Sequence, residues 1–156
     1  MFNFLLRMHL IKKMLSAFWS RVAKSLAPAL ARTPTIFGDP TKVSIAKSAK
    51  IVNALINVQS GYIVIKDHVF FGHNVCLLTG SHDINTPGEE RSGCVIGSGR
   101  NIVVEESVWL TSNVTVIGPS TIGRNSVVLP GSVVNGDIPP NTMYGGVPAR
   151  FIKMVL

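Results

Sequence analysis

Aliphatic residues recur at every sixth position through the second half of the chain. The row consists of Val104, Leu110, Val116, Ile122, Val128 and Val134. Four places after each comes a small or aliphatic residue, in the order Val108, Val114, Ser120, Ser126, Ser132 and Ile138. A period of six fits neither the helical repeat nor the two-residue alternation of a half-buried strand. It predicts short strands joined by tight corners, which wind into a three-sided coil whose inward side chains stack in rows.

The same period appears upstream in two shorter runs that are out of step with the first. One run has Ile45 and Ile51 as its row, and Ala49 and Leu55 as the inner partners. The other run has Ile65, Phe71 and Leu77 as its row, and Val69, Val75 and Ser81 as the inner partners. Residues 82–94 interrupt the period and are rich in glycine, proline, asparagine and acidic residues, which is typical of a loop. We therefore expect a coil at 34–138 with an excursion loop at about 82–94, and a turn and tail at 139–156.

Residues 2–26 have a helical pattern instead, with apolar residues at steps of three and four. Segment 1–33 is accordingly interpreted as a basic amphipathic helix followed by a linker. One interpretation is that the helix covers apolar surface of the coil. The other is that it lies on an anionic membrane surface, so that the protein is cytoplasmic with a peripheral contact at the inner face of the membrane. Arg7, Lys12 and Lys13 interrupt the apolar run too often for a cleaved signal or a membrane span.

Charge and cysteine content narrow the function classes. Six of the 15 basic residues precede Asp39, the first acidic residue. The rest of the chain has nine basic and eight acidic residues, so its net charge is close to zero. The coil therefore has no basic stripe, and we expect no nucleic-acid partner. The two cysteines, Cys76 and Cys94, lack the spacing of metal ligands, which favours free thiols in a reducing compartment.

Two places carry candidate chemistry. His82 stands where the coil passes into the excursion loop, and an imidazole titrates near neutral pH, so it is the best general-base candidate. Near the C-terminus, Gly145 and Gly146 permit a close backbone approach. Arg150 and Lys153 follow, three residues apart, and we expect them to share one face of a short helical segment and to suit a phosphate.

Together these motifs resemble the hexapeptide-repeat acyltransferases. The resemblance rests on the hexads, on Thr-Gly-Ser-His-Asp at 79–83, on Val-Trp-Leu-Thr-Ser at 108–112, and on the Asp-Ile-Pro-Pro…Gly-Gly-Val-Pro-Ala-Arg-Phe-Ile-Lys ending at 137–153. The most similar subgroup holds maltose, galactoside and serine acetyltransferases and the capsule or colanic-acid O-acetyltransferases. It implies an all-β fold, a left-handed parallel β-helix, here with an N-terminal amphipathic α-helix and a short C-terminal helical segment. It also implies a homotrimer that binds acetyl-CoA between neighbouring coils.

The resemblance implies roles for individual residues. His82 would be the general base of an O-acetyltransferase, and the backbone N–H of Ser112 would donate to the thioester oxygen, with neither a metal nor an acyl-enzyme required. The positions that correspond to acetyl-CoA contacts are Trp109, Ser112, Gly131, Gly146, Pro148, Arg150 and Lys153. The candidates for contacts to the acceptor hydroxyl compound are Asn53, Asn57, Asp83, Asn85, Glu89 and Arg91.

The acceptor that we expect is a sugar or a polysaccharide precursor. The N-terminal domain of the sugar acetyltransferases is replaced here by the basic helix, which favours a larger glycan acceptor, linked to a nucleotide or a lipid. Serine O-acetylation is the second choice. A zinc protein like the γ-type carbonic anhydrases is an alternative because His68 and His73 have the spacing of paired ligands, with His82 as a third. A non-catalytic scaffold is the remaining alternative.

Overall fold

The computed structural model describes residues 2–30 and 33–155, with side chains from residue 11 to 26 and from 33 onwards. The chain divides into two compact units, 1–33 and 34–156. The first unit contains the helix α1 (Phe2–Leu30), which confirms the helical pattern and extends it by four residues. Over the part of the chain that the structure describes, no helix is both long and apolar enough to span a bilayer.

The second unit is a coil of short strands, as the six-residue period predicts. The strands are β1 (Thr35–Phe37), β2 (Val43–Ile45), β3 (Leu55–Asn57), β4 (Ile63–Ile65), β5 (Phe70–Phe71), β6 (Cys76–Leu78), β7 (Ile102–Val104), β8 (Trp109–Leu110), β9 (Thr115–Ile117), β10 (Ser120–Ile122), β11 (Val127–Val128), β12 (Val133–Asn135), β13 (Thr142–Gly145) and β14 (Arg150–Met154). Two 3₁₀-helices lie among them, Pro40–Lys42 and Gly88–Ser92.

The strands form three faces. Face 1 has the order β1-β3-β6-β9-β12, face 2 has β2-β4-β7-β10, and face 3 has β5-β8-β11-β13-β14. Every pairing is parallel except that of β13 with β14. From β3 to β12, successive strands along the chain visit faces 1, 2 and 3 in turn, and each pairs with the strand one turn away. The second unit therefore winds as a parallel β-helix.

Three corners join the three faces, and each candidate site residue is located below by the corner at which it lies. The loop corner lies between faces 1 and 2, where the chain leaves β6 and passes through His82. The charged corner lies between faces 2 and 3 and contains the ion pair of Lys66 with Glu105, whose Nζ and Oε2 atoms are 2.7 Å apart. The asparagine corner lies between faces 3 and 1, where Asn53, Asn74 and Asn113 stack.

The interior is built from the rows that the period predicts. All six members of the row from Val104 to Val134 are buried, and so are their six partners from Val108 to Ile138. The upstream run of Ile65, Phe71 and Leu77 is buried as well, and Ile45 and Ile51 are half-buried against the core.

The assignment of Leu55 to the interior was wrong. On β3, Ile56 is fully buried and Leu55 is 37% exposed. Ala54 and Val58 are also buried, so β3 alternates with even-numbered residues inward. The register with β1, in which Ile36 lies opposite Ile56, shows the same phase. A slip of one residue between runs moves every side chain to the other surface of a strand.

The small polar members of the period bind the turns to one another. The hydroxyl Oγ of Ser120 donates to the carbonyl of Ile117 at 2.7 Å and accepts from the backbone N–H of Gly136 at 3.1 Å. Ser132 repeats this arrangement with Leu129 and Gly146. Among the described side chains, no buried nitrogen or oxygen lacks a hydrogen-bond partner. These serines therefore satisfy the backbone at corners where an aliphatic side chain would leave it unpaired.

The predicted C-terminal helical segment is wrong, because the chain from Arg150 to Met154 forms the antiparallel strand β14. Strand β13 offers an unpaired edge, and Arg-Phe-Ile-Lys-Met contains the aromatic and β-branched residues that suit a strand. A bulge interrupts the register, so that Arg150 lies opposite Gly145 and Lys153 lies opposite Met143. Since Gly145 and Met143 are two apart on β13, both cations belong to one face of the ribbon even though the segment is not helical.

The phase of β3 predicts how two neighbouring substitutions differ. Ile56→Ala should lower the free energy of unfolding by about 2–5 kcal/mol because it opens a cavity in the core. Leu55→Ala should lower it by about 1 kcal/mol or less, because that side chain faces outward. Denaturant unfolding of both variants measures the difference. Equal losses, or a larger loss for Leu55→Ala, would contradict the observed phase.

Candidate functional site

His82 lines a cleft at the loop corner, which we call the histidine cleft. Its volume is about 280 Å³, and its lining includes Asn57, Gly80 and Phe37. The imidazole is exposed, and none of the described residues forms a hydrogen bond with it. An accessible imidazole in a cleft can take a proton from a bound hydroxyl.

The two ends of the excursion loop hold His82 in place. The loop lies in the connection between β6 and β7. The backbone N–H of Asp83 donates to the carbonyl of Cys94 at 2.8 Å, and the N–H of Ile96 donates to the carbonyl of Ser81 at 2.9 Å. His82 and Val95 form an antiparallel bridge between these two bonds. The candidate base therefore lies where the two ends of the loop are hydrogen-bonded to each other, and not at the tip of the loop.

Two of the four acceptor candidates on the loop contribute to the structure of the loop itself. The carboxylate of Asp83 accepts from the backbone N–H of Asn85 at 2.9 Å. The guanidinium of Arg91 donates to the carbonyl oxygens of Thr86 at 2.8 Å and Ile84 at 3.4 Å. The side chains of Asn85 and Glu89 are exposed.

Asn57 and Asn53 lie at different corners. Asn57 ends β3 beside Gly80, where a Cβ on the glycine would come within 2.6 Å of the Asn57 amide oxygen. This close approach brings Asn57 to the histidine cleft. Asn53 lies at the asparagine corner, where its amide nitrogen donates to Asn74 at 2.6 Å. The structure thus brings Asn57 to His82 and leaves Asn53 one face away.

Face 3 carries a second cleft of about 330 Å³, the tryptophan cleft, which extends to the asparagine corner. Its lining is mostly apolar and includes Trp109, Leu129 and Met143. Trp109 is 41% exposed and stacks on Phe70, with ring centroids 5.2 Å apart and an interplanar angle of 20°. The stacking holds the indole as a rigid wall of the cleft.

The backbone N–H of Ser112 is available at the end of this cleft. The Ser112 carbonyl accepts from Gly131 and its hydroxyl accepts from the N–H of His73, at 3.1 Å each. The Ser112 N–H itself has no acceptor among the residues that the structure describes. Gly72 packs against it so tightly that a Cβ would come within 2.5 Å of the Ser112 nitrogen. A half-buried donor of this kind can stabilise an oxyanion.

The remaining candidates for cofactor contacts lie at the same corner or on the adjoining strand β14 of face 3. Gly131, between β11 and β12, donates its N–H to the Ser112 carbonyl, and Gly146 donates to the Ser132 hydroxyl at 3.1 Å. Both glycines have positive φ angles, of 70° and 98°. Pro148 lies in the following turn, and β14 then presents Arg150 and Lys153 on one face.

The structure therefore divides the candidate residues between two clefts, which we call the half-sites. The histidine cleft is at the loop corner, and the tryptophan cleft with the Ser112 amide is at the asparagine corner. Face 1 separates them by five or six extended residues, roughly 15–20 Å. Within one chain, His82 is too far from Ser112 for both to act on the same bond.

Within one chain, the coil keeps the three histidines of the zinc alternative apart. His68 lies at the charged corner, His73 at the asparagine corner and His82 at the loop corner. Across residues 2–30 and 33–155, no group of three His, Cys, Asp or Glu side chains is close enough to hold a metal ion.

Sequence reasoning missed Phe37 and Gln59, which line the histidine cleft. Phe37 is 60% exposed at the end of β1, 45 positions before His82. The pairing of strands could have indicated Phe37. In the register of β1 with β3, Phe37 lies opposite Asn57, the last residue of β3. The upstream period was out of step, so this pairing could not be assigned from the sequence.

The chain is similar in sequence and in fold to several acetyltransferases. The chain is 37% identical over 93 residues to a galactoside O-acetyltransferase of Lactococcus lactis subsp. lactis (strain IL1403), covering 60% of this chain and 44% of that protein. Among solved structures, galactoside acetyltransferase in complex with coenzyme A matches with a TM-score of 0.66 and 30% identity, covering 80% of this chain and 61% of that one. A hexapeptide-repeat-containing acetyltransferase from Vibrio cholerae O1 biovar eltor, complexed with acetyl coenzyme A, matches with a TM-score of 0.57 and 28% identity, covering 81% and 73%.

The curated relatives are matched over only part of their length. The chain spans about half the length of those that it matches. No family model matches the chain. The kinship therefore rests on pairwise similarity through the coil and on the shared fold.

Proposed function

Because the chain belongs to the hexapeptide-repeat acetyltransferase family, we propose that it transfers an acetyl group from acetyl-CoA to a hydroxyl of a sugar acceptor. The observation that supports this most directly is the pair of clefts on the two sides of face 1. One cleft has an accessible imidazole, and the other has an apolar wall ending at the N–H of Ser112. These are the groups that acyl transfer from a thioester requires. The kinship also implies a left-handed winding of the coil.

The proposed chemistry moves one proton and one acetyl group. A neutral nitrogen of His82 takes the proton of the acceptor hydroxyl while its oxygen attacks the thioester carbonyl carbon. The N–H of Ser112 donates to the carbonyl oxygen as negative charge develops there. The carbon–sulfur bond then breaks, and the imidazolium returns the proton to the sulfur. The products are the acetyl ester and coenzyme A, and the scheme requires neither a metal nor a covalent acyl-enzyme.

The tryptophan cleft suits the acyl donor. Its apolar lining matches the pantetheine arm, and Trp109 would form one wall. Arg150 and Lys153 share a face of the β13–β14 ribbon, where they would meet the phosphates of coenzyme A. Gly131, Gly146 and Pro148 would let the donor approach the backbone at the asparagine corner. Pro130, in the same lining, has no N–H to offer the arm.

A homotrimer would complete the site. Since the half-sites lie at different corners of one rigid coil, a second copy must bring its asparagine corner against the loop corner of the first. Cyclic assembly of three copies repeats the same contact and produces three equivalent sites. Outward apolar side chains on faces 1 and 3, including Leu55, Phe70 and Trp109, supply surface for such contacts.

The histidine cleft suits a sugar acceptor. Phe37 offers an exposed aromatic face on which a pyranose ring can stack. The amides of Asn57 and Gln59 can bind hydroxyl groups. Asn85 and Glu89 on the loop are further candidates, whereas Asp83 and Arg91 would act by shaping the loop.

We also propose that the acceptor is a polysaccharide precursor carried on a lipid or a nucleotide. The basic helix α1 supports this choice, since a lipid-linked glycan is found at a membrane surface. Serine O-acetylation remains the second candidate acceptor chemistry, but nothing in the histidine cleft favours an amino acid, as its lining contains no cation for a carboxylate apart from His82. A scaffold without activity would not require the unpaired Ser112 amide.

Replacing the base tests the chemical step. His82→Asn should lower kcat for acetyl transfer to a galactoside at least about 100-fold, because a general base contributes that much or more. The measurement is the release of coenzyme A with acetyl-CoA as donor. The matched control is His68→Asn at the charged corner, where asparagine tolerates the positive φ of 58°. Full activity in His82→Asn, or equal losses in both variants, would refute the assignment.

Subunit mixing tests the shared site. His82→Asn and Arg150→Glu/Lys153→Glu should each be inactive with dilute acetyl-CoA, the second because it repels the phosphates. Co-expression of the two variants should restore about a quarter of the activity, since one neighbour contact in four combines an intact loop corner with an intact asparagine corner. If each chain held a complete site, mixing would restore nothing.

Removing the aromatic face tests the acceptor. Phe37→Ala should raise KM for the sugar by about 3- to 10-fold, because a stacking contact contributes roughly 0.5–1.5 kcal/mol. KM for acetyl-CoA should not change in Phe37→Ala. Phe37→Tyr keeps the aromatic face, so its KM for the sugar should equal that of the unmodified protein. Tyr62→Ala is the control, an aromatic side chain of similar exposure that lines a different cleft. An unchanged sugar KM in Phe37→Ala would exclude this role.

A further inference from the structure

We propose that residues 11–26 of α1 form a surface that binds an anionic lipid bilayer, with the helix lying flat on it. The proposal concerns attachment of the protein, so it does not depend on the acetyl-transfer chemistry. No helix within the described residues can span a membrane, and an interfacial position is therefore the relevant one.

The apolar side chains of this stretch occupy one sector of the helix. At about 100° per residue, Met14, Phe18, Ile11, Val22, Leu15, Leu26 and Trp19 follow one another within about 140°. Only Ser25 interrupts the sector. Six of these side chains are at least half exposed, with Phe18 at 57% and Trp19 at 63%. An exposed sector of this width and composition marks an interaction surface.

The charges identify the kind of partner. Lys12 borders the sector next to Trp19, and Arg21 borders it next to Met14, while Lys13 and Lys24 lie on the opposite side. No acidic residue occurs in α1. Four cations without a counter-charge favour a surface of negative headgroups. They disfavour packing of α1 against copies of itself, because the border cations of neighbouring helices would meet.

The residues at the borders of the apolar sector are of the types that lie at headgroup level when a helix lies in the membrane interface. Lysine and arginine lay their methylene stems along the apolar surface and extend the charged group to the phosphates. Lys12 and Arg21 are placed to do so on both sides of the sector. Trp19, at the edge, would hold its indole at headgroup level. These positions orient the helix with Phe18, Ile11 and Val22 towards the acyl chains.

Vesicle sedimentation of the protein tests the proposal. The protein should bind vesicles of equal parts phosphatidylglycerol and phosphatidylcholine at least about tenfold more strongly than pure phosphatidylcholine vesicles, because each surface cation adds to the attraction. Binding should weaken as salt is added. The fluorescence of Trp19 should shift to shorter wavelength with the mixed vesicles. No binding to the mixed vesicles, or equal binding to both kinds, would overturn the proposal.

Matched variants separate the contributions. Lys12→Glu/Arg21→Glu should weaken binding at least about tenfold, whereas Lys47→Glu, an exposed cation on the coil, should change it less than about threefold. Phe18→Ser/Trp19→Ser should abolish binding, and Ile84→Ser, an apolar residue 79% exposed on the loop, should not. Helicity by circular dichroism establishes that the α1 variants stay folded. Binding that survives both α1 variants would refute the assignment to this helix.

Two further measurements distinguish the proposal from its rivals. If α1 binds a second copy instead, Phe18→Ser/Trp19→Ser would reduce the oligomer mass by light scattering, and the proposal would fail. Acetyl transfer to a soluble galactoside should be the same in all α1 variants. Activity lost with vesicle binding intact would count against the proposed function and not against the membrane surface.

Discussion

The narrow interior of the coil is the constraint on which the rest of the structure depends. Each turn places mostly aliphatic side chains from every face towards the axis, and these side chains are buried, as the series from Val104 to Val134 shows. A close-packed core of this kind is occupied by side chains and not by a ligand. Binding and chemistry must therefore take place on the outside, where loops and corners offer the concave surface.

The corners are rigid, and this determines how a site can be built. Asn53, Asn74 and Asn113 adopt positive φ angles of 36°, 58° and 60°, and their amides bind one another from turn to turn. A backbone held in this way cannot bend to bring Ser112 to His82. In the proposed homotrimer a second copy closes the distance across face 1, so the proposed assembly is part of the proposed active site and not an addition to it.

The sequence predicted the parts of the structure that result from its period. The rows beyond Val104 were assigned correctly because the repeat there is unbroken, and His82 was singled out as the candidate base because it stands where the repeat stops. Leu55 was assigned to the wrong side since one residue of slip inverts a strand. Arg150 and Lys153 were placed on a helix because a spacing of three fits both a helical face and a bulged strand, and only the unpaired edge of β13 decides between them. Phe37 could not be predicted, as its neighbour His82 lies two turns away.

The two units differ in charge, and this difference suggests a separate contribution of each unit to the proposed function. The coil is close to neutral, and the cations of α1 account for most of the net charge of +7. A neutral coil does not attract a charged glycan from solution, so electrostatic steering cannot supply the encounter rate. A helix that holds the protein on the surface where a lipid-linked acceptor resides would confine both to two dimensions and raise their effective concentration. The cleft beside His82, with a volume of about 280 Å³, would gain from such confinement, because it offers few contacts with which to capture a dilute acceptor.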